Sequence, residues 1–181
     1  MRAASSHLIV AAGVACLLLV FSSAAHSAGR SGSGEARSAD AIMGEIKNRG
    51  AKSVVAELRS SDDDWNRVIS SVAKGTVDWL AVASALRSET DGGASEQLDE
   101  AIFLALGKSP LRVLTLLQQR KFGVDEVCNS NIAIDYPSRE AMKLVRTRIG
   151  VLKRVNTLNV QAVRDRCLAG LHIAARELRT R

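Results

Sequence analysis

From Ile42 to Leu178 the apolar residues recur every third or fourth position, in short blocks broken by turn residues. Nowhere does a convincing period-two run of β-branched residues appear. That spacing lines one face of a helix and cannot line one face of a strand. The chain is therefore predicted to be all-α, a single compact multi-helix domain of about seven or eight helices. Ile42, Ile46, Val54 and Leu58 form the first stripe, with Gly50 a helix stop or a break between two short helices. Asp62-Asp63 offers an N-cap before Trp65, Val68 and Val72, and Lys74-Gly75 closes that helix. Thr76 can cap the next, with Trp79, Val82, Ala83 and Leu86 on its stripe. Asp91-Gly92-Gly93 reads as a turn, and Ser95 opens a helix carrying Leu98, Ala101, Ile102 and Ala105. Residues 101–106 are apolar all round, which places that helix at the centre of the core. Ser109-Pro110 starts the helix of Leu111, Leu114 and Leu117. Residues 121–137 read as a loop, and two longer helices follow over roughly 138–156 and 159–179.

The sequence Asp64-Trp65-x-x-Val68-x-Ser70-x-Val72 returns fourteen residues later as Asp78-Trp79-x-x-Val82-x-Ser84-x-Leu86. Fourteen residues are too few for a solenoid repeat, but they fit the two helices of one helical-repeat-like unit. Trp65 and Trp79 are read as core anchors, with a carbohydrate- or peptide-stacking pair as the alternative.

The N-terminus sets the compartment. Met1-Arg2 is positively charged, residues 8–21 form an apolar run, and Ala25-His26-Ser27 fits the small-x-small cleavage rule. This is the pattern of a secretory signal peptide over residues 1–27, short of the roughly 20 apolar residues that span a bilayer. Cys16 does not make it a lipoprotein leader: Gly13 stands where such signals want Leu, and the apolar run continues past the cysteine. The expected organisation is then a disordered Gly/Ser-rich segment over 28–38, a helical domain over 39–181, and a periplasmic or secreted location.

Taken in order, Trp65, Trp79-Leu80, Thr90-Asp91-Gly92, Ser109-Pro110, Val127-Cys128 and Cys167-Leu168 resemble a group of small exported α-helical proteins of Gram-negative bacteria. The resemblance covers nearly the whole mature chain. It implies a periplasmic helical domain and brings no activity with it.

Once the leader is removed, two cysteines remain, Cys128 and Cys167. An even pair in an oxidising compartment predicts a disulfide. Cys167 shares a helical stripe with Val160, Val163, Leu171, Ala174 and Leu178, so its sulfur faces the core, where a loop carrying Cys128 can reach it. Bridging across about 40 residues stabilises by roughly 4 kcal/mol in the chain-entropy model.

Catalytic patterns are sparse. The single histidine after the leader, His172, lies five residues beyond Cys167, about 140° around the helix, so no thiolate–imidazole pair forms there. No nucleophile elbow, phosphate-cradling loop or paired-histidine zinc motif is present, and no cofactor or metal is implied. Two acidic groups, Asp62-Asp63-Asp64 and Asp91 with Glu96, Asp99 and Glu100, are explained by helix N-termini rather than by a calcium-loop spacing.

Charge is divided along the chain. Residues 28–137 hold 13 Lys/Arg against 16 Asp/Glu, and residues 138–181 hold 11 against 3. Arg139, Lys143, Arg146 and Lys153 or Arg154 repeat on one face of the first long helix, and Arg164, Arg166, Arg176, Arg179 and Arg181 add to the basic end. This reads either as a solvated face neutralised by acids such as Glu96, Asp99 and Glu100, or as a contact surface for an anionic partner. Arg148 falls beside the apolar stripe, where it is expected to snorkel outward or pair with an acid. Nucleic acid is not an expected partner, since export and the lack of interleaved aromatics argue against it.

Two function classes follow. One is a non-enzymatic envelope binding protein of the adaptor, chaperone-like or inhibitor/immunity type. It would contact an unknown protein or an anionic envelope component, including peripheral contact with a membrane surface. The other is a small periplasmic hydrolase using clustered Asp/Glu.

Overall fold

In a computed structural model the described residues are 37–128 and 136–180. The expectations for the leader, for residues 28–36 and for Arg181 lie outside them. Among the described residues there are nine α-helices and no strand, so the chain is all-α.

The first helical stripe is two helices, α1 (Ala39–Arg49) and α2 (Ala51–Arg59). Ser38 caps α1 by accepting the Ala41 N–H at 3.2 Å. Gly50 ends α1 and begins α2 at φ 82°, ψ 150°, a region that essentially only glycine occupies. Arg37 belongs to the fold and not to a loose leader. It pairs with Glu45 at 3.0 Å and with Glu57, while Arg49 bridges the same two acids, so alternating charges tie α1 to α2.

α3 (Asp62–Val72) is capped by Ser61, one residue before the expected Asp62-Asp63. The Ser61 hydroxyl accepts the Asp64 N–H at 3.3 Å, and the three aspartates fill the first turn, where the helix dipole favours them. Gly75 turns the chain at φ 73° into α4 (Val77–Leu86), preceded by Thr76, whose side chain makes no capping bond. A Cβ on Gly75 would lie 3.1 Å from the Ser109 side chain, so this turn packs directly on Ser109. After a 3-10 turn at Arg87–Glu89, α5 (Gly92–Leu106) begins three residues before Ser95, because Gly92 and Gly93 join the helix.

As its all-round apolar stretch requires, α5 is the centre of the core. Ala101, Ile102, Phe103, Ala105 and Leu106 are fully buried, and the helix packs against α3, α6 (Pro110–Gln118) and α7 (Val124–Cys128). Helix α7 corrects the expectation of a loop over 121–137. Phe122 and Val127 are buried, and their burial fastens this segment to the core. Cys128 therefore sits at the end of a short helix. α8 (Ser138–Leu152) and α9 (Gln161–Glu177) are shorter than expected. A 3-10 turn, Leu158–Val160, leads into α9. α9 packs on α6, α7 and α8, and Cys128 is disulfide-bonded to Cys167 with a Cα–Cα distance of 5.1 Å.

The two tryptophans occupy equivalent positions on neighbouring helices with unequal burial. Trp65 is buried and donates its indole N–H to Gln97 Oε1 at 2.6 Å. Trp79 is half-buried, so of the two expected anchors only Trp65 is enclosed. Leu111, placed on the apolar stripe of α6 by its spacing, is instead 44% exposed.

Candidate functional site

The inner face of α8 is built from Ala141, Val145, Arg148 and Leu152, all buried. Rotation by 100° per residue then throws Arg139, Lys143, Arg146 and Lys153 onto the opposite face, with Arg154 beside them. All five are exposed, and none has an ion-pair partner among the described residues. Arg139, Met142, Lys143, Arg146 and Thr147 line a shallow open depression on this face. None of the acids expected to neutralise it pairs with this face, and Glu140, exposed in the first turn of α8, makes no ion pair with its neighbours either. Asp99 pairs with Arg87 at 3.2 Å, Glu100 accepts the Tyr136 hydroxyl at 2.7 Å, and Glu96 pairs with no cation.

Helix stability does not explain this arrangement. Arg139 stands in the first turn of α8, at the positive end of the dipole, and like charges at i,i+4 (Arg139, Lys143) and i,i+3 (Lys143, Arg146) repel. Each such contact costs a few tenths of a kcal/mol, up to about 1 kcal/mol, at an exposed helix surface. Lys153 and Arg154 are different: at the C-terminal end of α8 they are favoured by the dipole. The last helix adds less free charge than its composition implied. Arg166 is held by Asp125 of α7, and Arg164 donates to the Val155 carbonyl at 2.7 Å and to Asp165. The Arg166 guanidinium keeps the Asp125 carboxyl below the usual carboxylate range.

Arg148 neither snorkels nor finds an acid. Its side chain runs inward to the C-terminal end of α5, donating to the carbonyls of Phe103 (3.3 Å) and Leu104 (3.3 Å) and, within α8, to Leu144 (3.2 Å). The guanidinium lies 4.6 Å from the centre of the Phe103 ring. A cation there caps the last turn of α5 and meets the negative end of its dipole. Gly107 provides the room, since a Cβ at that position would come within 3.2 Å of Arg148 Cζ. Burial pulls the Arg148 pKa below that of a free guanidinium.

Two of the expected acids are held in ion pairs. Asp64 pairs with Arg67 at 2.7 Å, and Asp91 with Arg59 at 3.1 Å. Among the described residues no three His, Cys, Asp or Glu side chains converge as a metal-binding group. Cys167 is bridged and buried, and His172 is exposed on α9. No helix among the described residues is long and apolar enough to cross a membrane.

The stripe pattern misses two features. One is a half-buried polar knot: Arg87 donates to Ser95 Oγ (3.0 Å) and Asp99, Ser95 donates to Thr90, and Arg87 lies 5.6 Å from the centre of the Phe122 ring. The other is an open groove of about 600 Å³ between α4 and α6. Its signal was present: α4 (VDWLAVASAL) carries one charge in ten residues, too few for a helix with a solvated face.

The fold and the surface together define an all-α, disulfide-bridged domain whose eighth helix presents unneutralised cations. No family model, curated protein or solved structure matches this chain.

Proposed function

We propose that this is an exported, non-enzymatic binding protein of the cell envelope that contacts an anionic partner through α8, the membrane surface foremost. One observation carries the reading: Arg139, Lys143, Arg146, Lys153 and Arg154 are exposed together and none of them is ion-paired among the described residues, with Glu140 the one acid on the same helix. Each cation near an anionic bilayer contributes about 1 kcal/mol, acting within a Debye length of roughly 8–10 Å. The disulfide agrees with an oxidising compartment, and the leader pattern over residues 1–27 supplies the route to it.

The test is co-sedimentation with phosphatidylserine- or phosphatidylglycerol-containing vesicles at low and at physiological salt. Binding should be strong at low salt, weaken as salt rises, and disappear in the Arg139→Glu/Lys143→Glu/Arg146→Glu variant. If the protein stays in the supernatant at low salt, or the variant binds as well as the parent, α8 is not the contact surface.

A further inference from the structure

We infer that the groove between α4 and α6 docks an amphipathic helix of another protein whose apolar face is flanked by acidic residues. Apart from Asp78, exposed at the edge of its outer side, helix α4 is apolar or small on both its faces. Leu80, Val82, Ala83 and Leu86 enter the core, while the opposite side presents Val77, Ala81, Ser84 and Ala85. A helical stretch apolar all round is ordinarily covered all round, as residues 101–106 of α5 are here. The outer side of α4 is open instead: Val77 is 60% exposed, and Leu111 of α6, across the groove, is 44% exposed. These are two of the four large apolar side chains exposed among the described residues, and both line this one depression. Such a concentration marks a contact site rather than the scattered exposure of an ordinary surface.

Shape and charge select the occupant. Ala81, Ser84 and Ala85 make a low floor along more than one turn of helix, which lets a second helix approach closely and lay apolar side chains between α4 and α6. The rim is cationic. Arg112 and Lys121 line the groove, no acid does, and neither cation is paired among the described residues. A partner flanked by Glu or Asp meets both cations, whereas one flanked by Lys or Arg is repelled; such complementarity sets partner choice. This surface shares no residue with the basic face of α8.

The probe is a fluorescein-labelled 18-residue helical peptide with a Leu/Ala face flanked by Glu, beside a twin with every Glu replaced by Lys. Anisotropy titration of the purified protein should give saturable binding of the Glu peptide, with the Lys peptide weaker by about tenfold or more. The Arg112→Glu/Lys121→Glu variant should invert that preference, and Ala81→Arg, which fills the floor, should abolish binding. Arg139→Glu/Lys143→Glu/Arg146→Glu should leave peptide binding unchanged, so this inference and the membrane reading fail separately. No saturable binding, equal binding of the two peptides, or indifference to both groove variants overturns the inference. Should Ala81→Arg fail to fold by circular dichroism, the inverted preference alone decides. Sedimentation velocity supplies the remaining outcome: a dimer that Ala81→Arg dissociates would make a second copy the occupant and overturn the proposal.

Discussion

Asp99 is, with Arg148, one of two buried charged side chains among the described residues. It is buried beside Arg87, and its Oδ1 has no hydrogen-bond partner. Burial raises its pKa. The Arg87 charge and hydrogen bond oppose the rise, and the carboxylates of Glu126 and Glu96 reinforce it. The sign of the consequence is fixed by linkage. The folded state holds the proton more tightly than the unfolded chain, so between the unfolded value near 4 and the raised folded value the native state binds more protons and stability falls as pH rises. In Asp99→Asn that dependence disappears. Urea midpoints measured from about pH 3.5 to 7 should therefore show the variant gaining on the parent as pH rises above about 4. A difference that is flat across this range, or that runs the other way, would mean Asp99 titrates as an ordinary carboxyl. Glu57, Asp64 and Asp125 carry the opposite shift, because hydrogen bonds from Arg37 and Arg49, Arg67, and Arg166 respectively hold them low. Their contribution is lost as pH falls below the usual carboxylate range. It cancels in the comparison because both proteins contain them.

At the scale of elements, helix ends explain more than helix middles. Ser38 and Ser61 satisfy N-terminal donors on α1 and α3, Gly50 lets two helices share one stripe, and Arg148 closes the C-terminal end of α5 from another helix. Replacing Arg148 with Ala takes the side-chain donor from the buried Phe103 carbonyl, leaves the Leu104 carbonyl only the Gly107 N–H, and opens a void beside Phe103. The expected loss is about 2–4 kcal/mol in urea unfolding. Arg148→Lys keeps the charge but not the planar fork that reaches two carbonyls, so it should recover only part of the loss. An Arg148→Ala variant as stable as the parent would show that water satisfies that helix end. The same contact also shapes the surface of α8. With Arg148 turned inward, the outer face of α8 is left to Arg139, Lys143, Arg146 and Lys153.

For the whole molecule, the disulfide joins α7 to α9 across a sequence separation of 39. Both cysteines are buried, and so are Leu114 of α6, Val145 of α8, Val160 of the 3-10 turn and Leu171 of α9. Protein purified from an oxidising compartment should contain no alkylatable thiol after Ala28 by mass spectrometry, and Cys167→Ser should lose about 2–5 kcal/mol. Two reactive cysteines in the native protein, or a Cys167→Ser variant of unchanged midpoint, would remove the bridge from the account. The α7–α9 contact does not rest on sulfur alone, since Asp125 and Arg166 also link the two helices. The variant should therefore be weakened in this half of the fold rather than unfolded throughout.

Periodicity by itself determined the all-α class, the buried centre in α5 and the stripe that carries Cys167, because burial of one helix face is a local pattern written every three or four residues. The two cysteines beyond residue 27, with Cys167 on a core-facing stripe, were enough to pair Cys128 with Cys167. The same pattern could not locate α7, where Phe122 and Val127 are held by packing on a segment too short to show a period. Nor could it rank Trp65 above Trp79, whose local sequences match while their surroundings differ. Only the tertiary structure decided which charges are free. Asp99, Glu100 and Asp125 were distributed among Arg87, Tyr136 and Arg166 by distances of a few ångströms between helices far apart in sequence. It also turned Arg148 from an exposed or paired cation into the cap of α5, and left one side of α4 uncovered. Whether a charge is met or an apolar face is covered depends on which helices become neighbours, and that is a property of the packed whole.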